Sequence, residues 1–80
     1  MRHFVVYGRQ GCPFCTKAVE ALQGFKMTYR ELTPALRTRL ENLIGATLST
    51  STVPIIFVNG RFLGGYGSLL DFLKVIEAGF

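Results

Sequence analysis

The chain has 80 residues, 49% of them hydrophobic, and nine Lys and Arg against five Asp and Glu give a formal net charge of +4. This length leaves room for one small domain, which we expect to span residues 1–80. No apolar run approaches the roughly 18 residues that cross a bilayer, so we expect no membrane-spanning helix. The basic residues are dispersed rather than clustered, which argues against a nucleic-acid partner. A basic surface favours an anionic partner, either a small peptide with free carboxylates or an acidic protein surface.

The first predicted element is a strand at Phe4–Tyr7, a short apolar run rich in β-forming residues. A basic residue precedes this run, as in a signal peptide, but the run is short and no small-residue cleavage site follows it. We therefore interpret it as a buried strand and expect the protein to be cytoplasmic.

A helix is predicted to begin at Cys12, after a loop at residues 8–11. Pro13 then takes the first helical position, where its missing N–H removes no hydrogen bond. The apolar face predicted for this helix consists of Phe14, Ala18, Leu22 and Phe25.

A second strand is predicted at Met27–Leu32 and a second helix after Thr33-Pro34, a capping residue followed by proline. The inward face expected for this helix consists of Leu36, Leu40, Leu43 and Ile44. Gly45 supplies its end.

The strongest strand signal is Pro54–Val58. Asn59-Gly60 follows it and predicts a hairpin to a partner strand at Arg61–Leu63. A last helix is expected from about Ser68 to Gly79, with Leu69, Phe72, Leu73 and Ile76 inside. The order β-α-β-α-β-β-α predicts an α/β fold with a mixed four-stranded sheet and three helices.

The only two cysteines, Cys12 and Cys15, stand at the start of the first predicted helix. A helix N-terminus offers unpaired N–H groups and a partial positive charge, which stabilise a thiolate. Arg9 adds a permanent positive charge nearby. Cys15 lies one turn into the helix, where we expect it to be less exposed and less acidic. Cys12 is therefore predicted to be the attacking thiol and Cys15 the resolving thiol.

Three other interpretations of the cysteines are weaker. Two buried structural cysteines are possible, because free cysteine packs as a small hydrophobe. A structural zinc site needs four ligands, and the chain offers two cysteines and the single His3, so we predict no metal. A permanent disulfide is unexpected in a cytosolic protein.

The chain resembles the glutaredoxins of the thioredoxin-like superfamily, specifically the dithiol members with a C-P-F-C sequence. The resemblance covers nearly the whole chain and rests on Tyr7-x-Arg9-x-x-Cys12-Pro13-Phe14-Cys15, Thr52-Val53-Pro54, Phe57-Val58-Asn59-Gly60 and Gly64-Gly65. It implies a thioredoxin-like fold, a cis peptide bond before Pro54, no bound cofactor, and glutathione as co-substrate. The glutathione contacts it implies are Arg9, Phe14, Arg37, Thr52, Val53, Pro54, Tyr66, Gly67 and Ser68.

One departure from the family pattern concerns the reductant. After Gly64-Gly65 the family typically has an acidic residue at the start of the last helix, which pairs with the ammonium of glutathione. This chain has Tyr66-Gly67-Ser68 instead. The N–H groups of Gly67 and Ser68 remain available to a carboxylate.

The resemblance implies a monomeric, glutathione-dependent reductase of protein disulfides and glutathione mixed disulfides, with ribonucleotide reductase as an example of a client. Two alternatives stay open. The electrons could come from thioredoxin reductase, since the acidic residue is missing. A module that bridges an iron–sulfur cluster belongs to a different functional class; the proline in C-P-F-C argues against it, because cluster-binding family members tend to lack that proline.

Overall fold

The computed structural model describes residues 2–47 and 53–77. The elements, in chain order, are β1 (His3–Gly8), α1 (Pro13–Ala21), β2 (Lys26–Glu31), α2 (Pro34–Ile44), β3 (Ile55–Val58), β4 (Arg61–Gly64) and α3 (Tyr66–Glu77). The β-α-β-α-β-β-α order predicted from the sequence is confirmed.

The four strands form one sheet in the order β2-β1-β3-β4. β1 runs parallel to β2 and antiparallel to β3, and β3 pairs antiparallel with β4. The mixed sheet is therefore as predicted. Because β1 is a central strand, its carboxyl end delivers the loop and Cys12 to the edge of the sheet beside the end of β2.

Each face of the sheet has its own core. On one face, Phe4, Val6 and Ile56 pack with Ala18 of α1, Leu22 just after α1, and Leu69 and Leu73 of α3. On the other face, Ile55 and Phe57 pack with Leu40 of α2 and with Leu32. The first core fixes α1 and α3 side by side above the sheet, which places their N-terminal ends near each other.

Local sequence signals account for the turn and the second helix. Asn59 and Gly60 both have positive φ values, 50° and 81°, as a two-residue hairpin turn requires. The Thr33 hydroxyl accepts a hydrogen bond from the Leu36 N–H at 3.1 Å and caps α2. Gly45, with φ of 72°, ends that helix in the left-handed conformation.

The predicted apolar face of α1 is partly wrong. The buried stripe runs through Cys15, Ala18 and Leu22, while Phe14 is 53% exposed and Phe25 is also exposed. One residue corresponds to about 100° of rotation on a helix, so burying Cys15 turns Phe14 out of the core.

Two further predictions are corrected. Leu43 is 69% exposed, because it lies at the edge of the α2 stripe beside a cavity also lined by Tyr7 and Arg39. α3 begins at Tyr66 rather than near Ser68, since the Leu69 N–H donates to the Gly65 carbonyl at 3.0 Å and closes a first turn there. The predicted end at Gly79 lies outside the described residues.

None of the helices within residues 2–47 and 53–77 combines the length and apolar character needed to cross a membrane.

Substitution of two leucines on α2 tests whether burial, rather than the type of residue, determines the loss of stability. Leu40→Ala, at a side chain only 5% exposed, should lower the free energy of unfolding by about 2–5 kcal/mol through lost packing. Leu43→Ala, its matched control on the same helix, should change that energy by no more than about 0.5 kcal/mol. Urea denaturation measures both, and equal losses would contradict the packing of α2 described above.

Candidate active site

Cys12 is the residue that caps α1. Its backbone is extended, with φ of −96° and ψ of 111°, and Pro13 takes the first helical position as predicted. The Cys12 sulfur accepts a hydrogen bond from the Cys15 N–H at 3.3 Å. The sulfur thus occupies the position at which the free N–H groups and the positive end of the helix meet.

The surroundings of Cys12 lower the pKa of its thiol below the ordinary value of 9.0. Burial, the largest single influence, acts in the opposite direction and would raise the pKa. It is outweighed by the hydrogen bond from the Cys15 side chain, by the N–H groups of Cys15 and Phe14, and by the charge of Arg9. The arrangement favours a thiolate on Cys12.

Cys15 has the opposite environment. Its side chain is only 2% exposed, and burial is the main cause that raises the pKa of its thiol to about 11. The hydrogen bond to the Cys12 sulfur raises it further, while the Arg9 N–H and guanidinium act to lower it. Both cysteines are free thiols. Two adjacent thiols whose pKa values are shifted in opposite directions can act as an attacking thiol and a resolving thiol.

Gly8, the last residue of β1, makes room for Cys15. A Cβ at Gly8 would lie 2.7 Å from the Cys15 sulfur and 3.0 Å from the Tyr29 hydroxyl. Real Cβ atoms do not approach other atoms this closely, so only glycine allows the buried thiol to rest against the strand.

A groove of about 370 Å³ lies between the start of α1 and the start of α3. The residues that line it are Phe14, Val53, Pro54, Tyr66 and Gly67. The Val53–Pro54 peptide bond is cis, as the resemblance implied. The rings of Phe14 and Tyr66 are 5.8 Å apart, and the Lys17 ammonium lies 5.2 Å from the centre of the Phe14 ring.

The first turn of α3 closes one side of this region. Its N–H groups at Tyr66, Gly67 and Ser68 have no partners within the helix, and its first turn carries no acidic residue. A Cβ at Gly65 would lie 3.6 Å from the Pro54 carbonyl oxygen, so the helix start is close to the cis bond. This helix end can accept an anionic group.

The remaining predicted site residues lie elsewhere or outside the described chain. Arg9 is on the opposite flank of Cys15, where it lines a second cavity of about 320 Å³ with Gly11, Thr16, Glu20 and Tyr29. Arg37 is on α2 and is not among the groove residues; its Nε is buried and makes no hydrogen bond within the described residues. Thr52 falls outside the described residues.

Two neighbours of Cys15, Gly8 and Tyr29, were not singled out from the sequence. The signal that identifies Tyr29 is strand register: Tyr29 pairs with Val6, whose side chain belongs to the core beneath α1. Paired residues of parallel strands point to the same face, so alternation along β1 and β2 would have placed Tyr29 near Cys15.

Among the described residues, no group of three or more His, Cys, Asp or Glu side chains is arranged to hold a metal ion.

Comparison with known proteins decides the family. Residues 4–63, well over half of the chain, match the family model for glutaredoxin. This chain belongs to the glutaredoxin family. Glutaredoxins are thiol–disulfide oxidoreductases of the thioredoxin-like fold, and both the activity class and the fold predicted from the sequence are thereby confirmed.

Individual glutaredoxins also resemble this chain in sequence or in fold. A probable glutaredoxin of Acanthamoeba polyphaga mimivirus is 31% identical in an alignment that covers 90% of this chain and 78% of the viral protein. The structure of Francisella tularensis glutaredoxin 1 complexed with cacodylate superposes with a TM-score of 0.74 at 22% identity, covering 98% of this chain and 99% of that one. A buckwheat glutaredoxin–glutathione complex superposes with a TM-score of 0.68 at 20% identity, covering 92% and 70%.

The contact between Gly8 and Cys15 can be tested with one added methyl group. Gly8→Ala should lower the free energy of unfolding by about 1–3 kcal/mol, because the new Cβ overlaps the Cys15 sulfur. Gly67→Ala is the control, since a Cβ there meets no atom within 4 Å. Thermal or urea denaturation compares them. A Gly8→Ala protein as stable as Gly67→Ala would contradict the packing of Cys15.

Proposed function

We propose that this glutaredoxin is a glutathione-dependent dithiol oxidoreductase that reduces protein disulfides and glutathione mixed disulfides. The observation that carries the proposal is the inequality of the two thiols: the pKa of Cys12 is lowered at the start of α1, and that of Cys15 is raised by burial. We further propose that it acts as a cytoplasmic monomer, with ribonucleotide reductase as an example of a client.

In the proposed reaction, the Cys12 thiolate attacks one sulfur of a client disulfide. The client S–S bond breaks, a Cys12–client disulfide forms, and the other client sulfur leaves as a thiolate that takes a proton from water. Cys15 then loses its proton and attacks the Cys12 sulfur, which releases the second client thiol. The client has gained two electrons, and the two cysteines now form a disulfide.

Glutathione completes the cycle. One glutathione thiolate attacks the Cys12–Cys15 disulfide and forms a mixed disulfide with Cys12. A second glutathione attacks that mixed disulfide, leaving as oxidised glutathione and restoring both thiols. The overall result is the transfer of two electrons from two glutathione molecules to the client disulfide.

We assign the groove at Phe14 and Pro54 to an extended anionic peptide. We assign the Val53 backbone to strand-like pairing with the peptide, and the Phe14 and Tyr66 rings to its apolar contacts. The α3 N–H groups at Gly67 and Ser68 would bind one carboxylate. Arg9, Arg37 and Thr52 complete the proposed contacts, and Pro54 shapes the groove. The glutathione-bound buckwheat glutaredoxin, which shares this fold, supports the choice of ligand.

Single substitutions test the roles of the cysteines. Cys12→Ser should abolish reduction of both protein disulfides and glutathione mixed disulfides, because the attacking sulfur is lost. Cys15→Ser should abolish only protein disulfide reduction, since removal of glutathione from a mixed disulfide needs one thiol. The two substrates are assayed separately, with circular dichroism as the control for folding. A folded Cys15→Ser protein inactive on mixed disulfides would show that the roles are wrongly assigned.

A second candidate function keeps the exchange chemistry and changes the reductant. The absence of an acidic residue in the first turn of α3 removes the partner expected for the glutathione ammonium, which favours thioredoxin reductase as an electron source. Two coupled assays distinguish the candidates: glutathione with glutathione reductase, and thioredoxin reductase alone. We expect turnover in the first. Turnover only in the second would replace the proposed reductant.

A further inference from the structure

The cavity beside Cys15 is also lined by Tyr29, to which the proposed catalytic cycle gives no role. It measures about 320 Å³ and is lined by Cys15, Tyr29, Glu20 and Arg9, among others. It shares no lining residue with the groove at Phe14 and Pro54. The cavity therefore gives the buried thiol an approach to solvent that does not pass through the proposed glutathione groove.

The Tyr29 hydroxyl is close to the Cys15 sulfur. Both atoms rest against the same side of Gly8, at 3.0 Å and 2.7 Å from the position that a Cβ there would occupy. The sum of these distances is the upper limit of their separation.

We propose that Tyr29 is a positioning residue for the resolving step, in which its hydroxyl donates a hydrogen bond to the Cys15 sulfur as that sulfur becomes a thiolate. The inference deepens the proposed function and rests on the assignment of Cys15 as the resolving thiol.

The need for such a donor arises when Cys12 is bonded to a client. In the free protein, the Cys15 thiol hydrogen-bonds to the Cys12 sulfur. In the mixed disulfide, Cys12 carries no negative charge, so its influences that raise the pKa of Cys15 are lost, and burial remains the main obstacle to ionisation of Cys15. Burial of a thiolate is costly, and a second hydrogen-bond donor in addition to the Arg9 N–H reduces that cost.

Among the described charged groups around Cys15, only Arg9 favours the thiolate, which leaves a role for a further donor such as Tyr29. The Arg9 N–H and guanidinium favour the Cys15 thiolate. Glu20 on α1 lines the same cavity, and Glu31 on β2 interacts with Tyr29; neither carboxylate can donate a hydrogen bond. Burial, followed by the charges of Cys15, Glu31 and Cys12, raises the pKa of Tyr29, so its phenol keeps its proton and remains a donor.

The step conserves atoms and electrons. The Cys15 proton passes to water in the cavity, and the electron pair left on its sulfur forms the Cys12–Cys15 bond. The bond between Cys12 and the client sulfur breaks, and the client leaves with that electron pair as a thiolate that water protonates. Tyr29 holds its own proton throughout.

Tyr29→Phe removes the hydroxyl and keeps the ring. Tyr7→Phe is the matched control, because Tyr7 packs edge-on to Phe57 in the core on the other face of the sheet, with the ring centres 5.8 Å apart. A mixed disulfide between Cys12 and a client peptide is prepared, and release of the peptide is followed against pH by stopped-flow. Tyr29→Phe should slow release about fivefold near neutral pH, the effect of one lost hydrogen bond.

The pH profile distinguishes this role from a merely structural one. Loss of the donor raises the pKa of Cys15 in the mixed disulfide, so the Tyr29→Phe profile should move to higher pH and reach the normal rate once the thiol is fully ionised. The Tyr7→Phe profile should match the unmodified protein. Unchanged release and an unchanged profile in a folded Tyr29→Phe protein would overturn the inference.

A second measurement leaves Tyr29 intact. Because linkage is reciprocal, removing the sulfur with Cys15→Ala should lower the pKa of Tyr29, observed through the ring carbon next to oxygen by NMR. An unmoved Tyr29 titration would refute the coupling. Formation of the mixed disulfide with the client peptide is measured separately, in Cys12→Ser and in Tyr29→Phe. If Cys12→Ser still exchanges with the client, the proposed function fails. If Tyr29→Phe forms the mixed disulfide normally and also releases the peptide at the normal rate, only the role of Tyr29 is refuted.

Discussion

The hydrogen bond from the Cys15 N–H to the Cys12 sulfur, 3.3 Å long, is the interaction on which the site depends. It exists because α1 begins at Pro13, so that Cys12 is the cap and its sulfur meets the free N–H groups of the first turn. The same geometry brings the Cys15 side chain inward, against Gly8. The difference between the two thiols thus follows from where one helix begins.

Burial raises the pKa of both thiols, and hydrogen bonding makes the two pKa values differ. Burial is the largest influence on each pKa and raises it in both cases. Only Cys12 receives enough hydrogen bonds and positive charge to reverse it. Cys15 is left as a protonated thiol, with Tyr29 lining the same cavity. The groove at the cis Val53–Pro54 bond lies on the Phe14 side and shares no lining residue with the cavity beside Cys15 and Tyr29.

Much of this arrangement could be predicted from the sequence, because the signals are local. Pro13 after Cys12, Thr33-Pro34 and Asn59-Gly60 each specify a helix start or a turn through two or three residues. The errors come from positions that tertiary packing decides. Phe14 has the larger apolar side chain, yet Cys15 takes the buried position because the stripe facing the sheet passes through it. Tyr29 and Gly8 meet Cys15 only after the register of β1 and β2 is known, and Thr52 lies outside the described residues.

The most direct test is the pH dependence of alkylation of each cysteine in the reduced protein, with the modified residue identified by tandem mass spectrometry. The thiolate is the reactive form, so the rate at each cysteine follows its ionisation. The structure predicts that Cys12 reacts first, with a midpoint below 9.0, and that Cys15 stays unreactive until the pH approaches about 11. A Cys12 midpoint at or above 9.0, or earlier reaction of Cys15, would contradict the account.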